Sequence, residues 1–446
     1  MLIRNAELAD GRRRDVRIEG ETIAAVEPAN GLEPESAEDE IDADGLLLLP
    51  GAIDVHVHFR QPGYAHKETW ETGSKSAAAG GVTTVVDQPN TNPPTVTGGA
   101  YDEKAALAAD RSIVDFGING GVTEEWDPDS LLSRPLFALG EVFLADSTGD
   151  MGIEEPLFRD ALARAAEAGA TVTVHAEDAD LFDESALPSA DAAGDAGTRT
   201  DAGGSDDADA WSAYRTAEAE AAAVERAVAL GGESGAAIHV AHTSTPEGID
   251  AAAEAGATCE VTPHHLFLSR DDLDELGTLG RMNPPLRSEA RRAAVYERVA
   301  DGAVDVIATD HAPHTLDEKD ASVRDAPSGV PGVETMLPLL LEAARRGRLS
   351  YERVRDLTAR NPARIFDLPR KGEIAAGRDA DLVLVDPNAT REIRGSELHS
   401  KCDWTPFEGR SGVFPRLTAV RGTIVYERDG DEERFGPAVG GNVRTA

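Results

Sequence analysis

The chain contains very little lysine. Six lysines stand beside 37 arginines and 82 acidic residues, which leaves a net charge of −39 over 446 residues. So acidic a surface would repel the phosphates of a nucleic acid, and this class of partner is therefore excluded. Many carboxylates with few lysines are typical of proteins in molar salt, where the Debye length shrinks to about 3 Å and self-repulsion is screened. We expect a halophile's surface, with an ordinary acidic enzyme as the alternative.

Cysteine and long apolar runs are also scarce. The two cysteines, Cys259 and Cys402, suggest no disulfide framework, so a reducing cytoplasm is the expected compartment. No run reaches 18 apolar residues, which argues against a membrane span, and the N-terminal MLIRNAELADGRRRDVRI lacks the apolar stretch of a signal peptide. Hydrophobic residues make up 41% of the chain, which supports a well-buried protein with one large domain and a smaller one.

The middle of the chain alternates between apolar runs and helical patterns rich in Ala, Glu and Arg. Eight strand-like runs lie at 52–58, 82–87, 112–119, 136–144, 171–175, 237–242, 257–263 and 304–310. Eight strands that alternate with helices over roughly 250 residues are the pattern of a (β/α)8 TIM barrel. We therefore predict an α/β fold with such a barrel over residues 52–365.

Both ends of the chain consist of short strand-like runs separated by turn residues. They include MLIRNAEL at the start and ADLVLVDP (380–387) near the end. Residues 1–51 and 366–446 together are predicted to form a small β-sandwich domain. The segment 183–210 is rich in Asp, Ala and Gly and has no periodicity, which predicts a mobile, solvated loop, with an active-site lid as the alternative.

Imidazoles and carboxylates lie at or near the ends of the predicted barrel strands. They are His56, His58, Glu141, His175, His242 and Asp310. His56 and His58 are two residues apart, so on a strand they face the same side and both reach the barrel mouth. Imidazole and carboxylate ligands without thiolates suit Zn²⁺, with Mn²⁺ or Co²⁺ as substitutes. The pattern therefore predicts a metal site at this rim.

Seven motifs link the chain to a known family. They are DVHVHFRQPG (54–63), PNTNPP (89–94), TVHAED (173–178), VAHTST (240–245), VTPHHL (261–266), MNPPLR (282–287) and ATDHAPHTLDEK (308–319). They resemble the cyclic amidohydrolases, and most closely the dihydroorotases of the long, barrel-plus-β-domain type. The match spans nearly the whole chain. TDHAPHxxxxK is its most specific part, because hydantoinases and allantoinases share the barrel and the HxH pair but usually differ there.

The resemblance implies a role for each candidate residue. The first metal would be bound by His56, His58 and Asp310, and the second by His175 and His242. The substrate carboxylate would be held by Arg60 and Asn90, with further contacts from Asn283, His314 and the backbone near Ser328 and Gly329. Arg60 also fits on chemical grounds, since a planar guanidinium two residues beyond His58 faces the same cavity and suits a bidentate carboxylate.

One position departs from the family pattern. Many relatives place on the fourth strand a lysine that CO₂ carboxylates into a bridging carbamate, whereas this chain has Glu141, and no lysine lies between Lys104 and Lys319. A carbamate on this strand is therefore impossible. Glu141 could bridge two zinc ions itself, although its arm is shorter by roughly 3–4 Å. Asp146 or Asp150 from the following loop, or a mononuclear site, are the alternatives.

The resemblance implies an enzyme that interconverts dihydroorotate and N-carbamoyl-aspartate in pyrimidine biosynthesis, with Asp310 as the catalytic general base. An allantoinase or a hydantoinase would use the same site on another cyclic amide. An inactive homologue that serves as a structural partner of aspartate transcarbamoylase is the alternative outside the enzymes. We further expect a small-molecule substrate, no membrane partner, a homodimer or higher homo-oligomer, and room for association with aspartate transcarbamoylase.

Overall fold

The computed structural model describes residues 1–36, 38–147, 151–188 and 205–445, and the strands of these residues form sheets of nine, five, three and two strands, the last being β15 and β16. In chain order the strands are β1 (Leu2–Leu8), β2 (Arg13–Glu19), β3 (Thr22–Pro28), β4 (Glu40–Asp42), β5 (Leu47–Pro50), β6 (Ala52–Val57), β7 (Val82–Asp87), β8 (Asp115–Ile118), β9 (Leu139–Phe143), β10 (Val172–His175), β11 (Ile238–Val240), β12 (Thr258–Val261), β13 (Val306–Ile307), β14 (Leu382–Val385), β15 (Arg391–Glu392), β16 (Ser411–Gly412), β17 (Pro415–Val420), β18 (Thr423–Asp429) and β19 (Glu432–Phe435). The fold is mixed α/β.

The strands β6 to β13 occupy the eight runs predicted from the sequence, one strand in each run. Three of them form a parallel sheet in the order β6-β7-β8, and five form another in the order β13-β12-β11-β10-β9. Parallel bridges between Gly120 and Leu139 and between Val57 and His311 connect the two sheets at both edges. Nearly all of their residues are buried, as expected for parallel strands that are covered on both faces.

Helices follow the parallel strands in turn. They are α1 (Trp70–Ala79), α2 (Gly98–Arg111), α3 (Pro128–Leu131), α4 (Glu155–Ala168), α5 (Ser205–Tyr214), α6 (Ala217–Ser234), α7 (Pro246–Glu254), α8 (Pro263–Phe267), α9 (Leu273–Leu276), α10 (Glu289–Asp301), α11 (Leu316–Lys319), α12 (Met336–Arg345), α13 (Tyr351–Arg355) and α14 (Asn361–Ile365). Threonines begin α1, α2, α6 and α7, because each hydroxyl accepts the backbone N–H three residues on. Within the described ranges, no helix is both long and apolar enough to cross a bilayer.

The two ends of the chain share a nine-stranded sheet. Its strands run in the order β19-β18-β17-β14-β5-β1-β2-β3, and β4 pairs with β1. The junction of the two ends is the antiparallel pair β5 and β14, in which Leu48 lies opposite Leu384. Leu47 and Val383 pack into the main core together with the parallel strands, whereas Leu48 and Leu384 pack into a separate cluster on the other face. Because side chains alternate along each strand, one face of this sheet packs into the main core, and this contact attaches the sheet to the rest of the molecule.

The segment 183–210 only partly matches its prediction. A 3₁₀ turn forms at Glu184–Ala186, and α5 begins at Ser205. The expectation of an irregular loop is therefore wrong at the C-terminal end of the segment, where α5 begins and Ala208 is buried in an apolar cluster. The residues from 189 to 204, on which the predictions of mobility and of a lid mainly rest, lie outside the described residues.

His399 joins the nine-stranded sheet to the segment that follows β13. Its Nδ1 lies 2.9 Å from Oε1 of Glu334, and its Nε2 lies 3.2 Å from Oε2 of Glu433 on β19. Tyr426 on β18 donates its hydroxyl to the same Glu433. Burial alone would lower the pKa of His399, but the bonds to the two glutamates outweigh it and raise the pKa to about 9.

This junction predicts a loss of stability in mild alkali. The raised pKa means that protonated His399 stabilises the fold fully below its ordinary pKa of 6.5, and that this contribution is lost as the pH rises through about 9. The free energy of unfolding should therefore fall more steeply between these values in the unmodified protein than in His399→Gln. Denaturant titrations of both proteins at several pH values in one salt concentration measure the difference. Equal slopes for the two proteins would contradict the assignment.

Candidate metal centre and substrate cavity

The six predicted metal ligands converge at one end of the parallel strands. His56 lies in β6, Glu141 in β9 and His175 at the end of β10, while His58, His242 and Asp310 lie just beyond β6, β11 and β13. Because the strands are parallel, their carboxyl ends meet at the same side. All six side chains are buried. His242 and Asp310 have positive φ values of 33° and 45°, a strained backbone of the kind that accumulates at functional sites.

Glu141, His175 and His242 form the first cluster. Oε1 of Glu141 lies 3.1 Å from Nδ1 of His175 and 2.6 Å from Nε2 of His242, and these two nitrogens are 3.0 Å apart. Each of the three atoms carries a lone pair that can face the others. Lone pairs so close together repel one another unless a proton or a cation lies among them. This spacing suits a shared metal ion, and the ligand atoms lie within 4.8 Å of one another.

His56, His58 and Glu141 form the second cluster, and Asp310 adjoins it. Nε2 of His56 lies 3.2 Å from Oε2 of Glu141 and 3.5 Å from Oδ1 of Asp310. The same Asp310 oxygen lies 2.9 Å from Nε2 of His58. Nε2 of His56 is buried and lacks a hydrogen-bond partner among the described residues, although it faces two carboxylates. A metal ion would satisfy this atom without any change of rotamer.

The two clusters share Glu141, and each of its oxygens faces one of them. A carboxylate that bridges two metal ions needs this placement. The Glu141 side chain reaches it without the extra length of a carboxylated lysine. Asp146, the first alternative, is exposed, and its Oδ1 accepts the backbone N–H of Gly152 at 2.7 Å, so its carboxylate lies apart from the clusters. Asp150, the second alternative, lies outside the described residues.

Further side chains orient the histidines, and sequence reasoning had not identified them as site residues. Glu260 on β12 accepts Nδ1 of His56 at 2.7 Å, and Glu177 lies 2.9 Å from Nε2 of His175. Arg215 beside α5 in turn donates to Glu177. Carboxylates that bind the second ring nitrogen fix the tautomer and aim the first nitrogen at a metal. In the sequence, the signal for Glu260 and Glu177 is an acidic residue within or beside an apolar strand, in TCEV and VHAED.

The pKa values reveal a strongly negative field. Burial alone would lower the pKa of His175, but Glu141 and Glu177 raise it to about 9. Burial would raise the pKa of Glu141, yet the facing charges of His56 and His242 hold it well below its ordinary value. A field that retains a proton on a buried imidazole also favours a divalent cation in its place. The donor set and its electrostatics therefore fit a metal.

A small cavity of about 20 Å³ opens beside the two clusters. Its lining includes five of the six residues predicted to contact substrate, namely Arg60, Asn90, Asn283, Ser328 and Gly329, together with His58, Glu141, Phe143, Ser147, His175, His242, Asp310 and Ala312. The sixth, His314, lies behind the lining, with Nε2 3.0 Å from the carbonyl oxygen of Ser328. Asn90 has a second partner that the sequence did not indicate, because its Oδ1 lies 2.6 Å from Nδ1 of His58.

Arg60 is a buried cation without a carboxylate partner. Its side chain donates from Nε to the carbonyl oxygen of Pro313 at 3.3 Å, and it forms no ion pair with any of the described residues. Burial lowers its pKa to about 10, so the guanidinium still carries its charge at neutral pH. Its backbone has a φ of 63°, in the left-handed region. A strained, buried guanidinium without an ion-pair partner, on a cavity wall, is suited to an anion.

Comparison with known proteins identifies the family of this chain. A model of the Amidohydrolase family matches residues 47–424, and the chain belongs to this family, as its motifs predicted. It is 69% identical to the dihydroorotase of Halobacterium salinarum over 96% of this chain and 97% of that relative. It is 44% identical to the dihydroorotase of Methanosarcina acetivorans over 87% of this chain and 84% of the relative. The solved structure of L-hydantoinase from Arthrobacter aurescens has a TM-score of 0.90 and 29% identity, and it covers 99% of this chain and 98% of its own.

Glu141 and Asp146 offer a direct test of which carboxylate binds metal. In Glu141→Gln both clusters lose their only shared charge, so the metal-to-protein ratio should fall by about half or more. Asp146→Asn should leave the ratio unchanged, since that carboxylate is exposed. Elemental analysis after gel filtration gives both numbers. Loss of metal from Asp146→Asn but not from Glu141→Gln would overturn the assignment.

Proposed function

We propose that this chain is a dihydroorotase, which interconverts dihydroorotate and N-carbamoyl-aspartate; hydrolysis opens the ring, and the reverse reaction closes it in pyrimidine biosynthesis. The observation that carries this proposal is the unpaired Arg60 on the wall of a cavity shared with two histidine–glutamate clusters. An anionic cyclic amide fits both features. The curated relatives with the identities given above are dihydroorotases, which favours this substrate over hydantoin or allantoin.

We propose that β6 to β13 close into a (β/α)8 barrel spanning residues 52–365. The bridge between Gly120 and Leu139 and the bridge between Val57 and His311 support closure, because they link the two parallel sheets at both edges. Residues 1–51 and 366–446 would form the accompanying β-sandwich domain. Its support is the nine-stranded sheet, whose strands come only from these two segments.

In this function, the substrate carboxylate lies against Arg60, which supplies a bidentate donor pair. Asn90, Asn283 and the backbone near Ser328 and Gly329 complete the wall, and His314 supports it from behind. Gly329 has a φ of 132°, and a Cβ there would lie 2.6 Å from the carbonyl oxygen of Ala312, so only glycine lets this backbone approach so closely. The lining thereby fixes the orientation of the ring.

Two zinc ions in each subunit are the cofactors we propose, bound by His56, His58 and Asp310 on one side and by His175 and His242 on the other. Glu141 would bridge them in place of a carboxylated lysine. When bound, such ions polarise the amide carbonyl and lower the pKa of water to about 7. The site's own contribution is to hold the ligands in place: Glu260 and Glu177 fix the imidazoles, and burial keeps competing water away from them.

Asp310 moves the proton. Its Oδ1 lies 2.9 Å from Nε2 of His58, and its carboxylate also lines the substrate cavity. Burial alone would raise the pKa of Asp310, but the hydrogen bond from His58 and the nearby histidine charges lower it, so the group is an ionised base at neutral pH. It accepts a proton from the attacking water and returns it to the ring nitrogen as the amide bond breaks.

The expected setting of the enzyme is the cytoplasm, as a homodimer or a larger homo-oligomer that can associate with aspartate transcarbamoylase. Both cysteines are free and buried, which suits a reducing compartment. The substrate is a small anion, and neither nucleic acid nor a membrane is expected as a partner. The net charge of −39 opposes this anion at long range, whereas Arg60 and the metals attract it inside the cavity.

A substrate panel tests the proposed function. The purified protein, loaded with zinc in high salt, should hydrolyse dihydroorotate with a kcat/KM far above that for hydantoin or allantoin, because only dihydroorotate offers a carboxylate to Arg60. Arg60→Gln, which keeps hydrogen-bond donors but removes the charge, should raise the KM for dihydroorotate alone. A preference for a neutral cyclic amide would overturn the proposal. A metal-free, inactive protein would instead indicate a structural partner.

Asp310→Asn separates proton transfer from substrate binding. The substitution keeps the shape of the side chain but removes the base, so kcat should fall by roughly 10²- to 10⁴-fold while KM changes little. The metal-to-protein ratio must be measured on the same sample, because Asp310 also lies beside His56 and His58. A near-native kcat in a variant that retains its metal would show that Asp310 is not the base.

A further inference from the structure

Lys319 ends the TDHAPHxxxxK motif, yet the proposed chemistry gives it no role. Its side chain is 1% exposed, and within the described ranges it forms no ion pair. Its ammonium instead lies 2.9 Å from the carbonyl oxygen of Arg281, 3.0 Å from that of Pro327 and 3.1 Å from that of Gly329. Burial lowers its pKa, but three carbonyl acceptors within 3.1 Å match the three donor hydrogens of the protonated form. A buried cation held only by carbonyl groups is costly, so its presence needs a reason.

The three carbonyls belong to the segments that form one wall of the substrate cavity. Pro327 and Gly329 flank Ser328, and Arg281 lies two residues before Asn283. The two segments also touch directly, because the backbone N–H of Gly329 donates to the carbonyl oxygen of Arg281 at 3.0 Å. The ammonium therefore lies where the two chain segments meet, behind the residues that line the cavity.

A residue from the C-terminal part of the chain covers this junction. The ring of Trp404 lies 5.6 Å from the Lys319 ammonium. Its indole N–H donates to the carbonyl oxygen of His314 at 2.7 Å. Trp404 packs in the same apolar cluster as Met282 and Val330, the neighbours of the two wall segments. A third segment, the one that carries His314, is thereby tied to the same point.

Only a lysine has the geometry for this position. An ammonium offers three donors directed away from one point, which matches three converging carbonyls, whereas the planar guanidinium of arginine spreads its donors over a fork. The chain uses arginine at 37 positions and lysine at six. Arginine is thus the common cationic residue of this sequence. At position 319, an arginine could not make the same contacts with the three carbonyls.

We propose that Lys319 is a positioning residue that holds the 281–283 and 327–329 segments at the spacing that the substrate requires. The proposal deepens the proposed function and rests on it, because the substrate contacts of these segments are part of that function. Lys319 acts only through backbone groups and touches neither substrate nor metal ligands. Its loss should therefore weaken substrate binding and leave the metal clusters and proton transfer largely intact.

A series with three, two and no donor hydrogens tests this role, namely unmodified Lys319, Lys319→Gln and Lys319→Met. The KM for dihydroorotate should rise in that order and reach between about tenfold and about a hundredfold in the methionine variant, because misplaced binding groups cost that much. The kcat should change by less than about threefold, since the reacting groups stay in place. The metal-to-protein ratio should not change.

Lys371→Met is the matched control for the loss of a buried lysine. Lys371 is 7% exposed and pairs with Asp115, which begins β8 at the opposite end of the strands from the cavity. The control should lower the thermal stability but leave KM unchanged. Thermal unfolding of every variant shows which proteins are folded, and only the folded ones enter the kinetic comparison.

The outcomes distinguish the two proposals. If the unmodified protein does not hydrolyse dihydroorotate, the proposed function fails, and the same variants are then compared on the cyclic amide that it does hydrolyse. An unchanged KM in folded Lys319→Gln or Lys319→Met would overturn the positioning role, as would a loss of kcat and metal without a change in KM. If the methionine variant does not fold, the glutamine variant decides. Failure of both to fold would make Lys319 a folding requirement and would also overturn the proposal.

Discussion

The shared carboxylate of Glu141 is the constraint on which the arrangement of the site depends. Ring nitrogens of the buried His56, His175 and His242 lie 2.6 to 3.2 Å from its two oxygens, at distances at which lone pairs repel. Desolvation of such a group without compensation would cost several kcal/mol for each charge. A bound divalent cation would turn these contacts from repulsive to attractive. The positions at which β6, β9 and β10 end therefore determine the geometry of the site more than the chemistry of any single ligand does.

The positions of the strand ends were predictable, because they follow from short-range rules. The HxH spacing places His56 and His58 on one side of a strand, and parallel strands bring their carboxyl ends together. The orienting groups were not predictable, because the partner of a side chain depends on the packing of distant segments. Glu260, which fixes His56, lies 204 residues away in the chain. An acidic residue in a buried strand indicates that some partner exists but does not identify it.

In the segment 183–210, the sequence did not predict a helix that the structure contains. Its composition of Asp, Ala and Gly carries no apolar periodicity, yet α5 begins at Ser205, and Arg215 just beyond this helix reaches the Glu177 carboxylate. Tertiary contacts outweigh local propensity here, because one buried ion pair and a few apolar residues suffice to order a helix that would be marginal by itself. Composition therefore predicts poorly which end of a polar segment packs against the rest of the protein.

Cationic side chains have different roles at the surface and in the interior of this protein. The arginines of the exposed helices pair with nearby carboxylates, as Arg159 does with Glu155, and such exposed pairs contribute little to stability and are screened by salt. Arg60 and Lys319 are buried, where mobile ions do not reach. Salt therefore weakens the long-range repulsion between an anion and the surface more than it weakens the attraction inside the cavity. A strongly acidic protein can bind a small anion for this reason, provided that its few essential cations are enclosed.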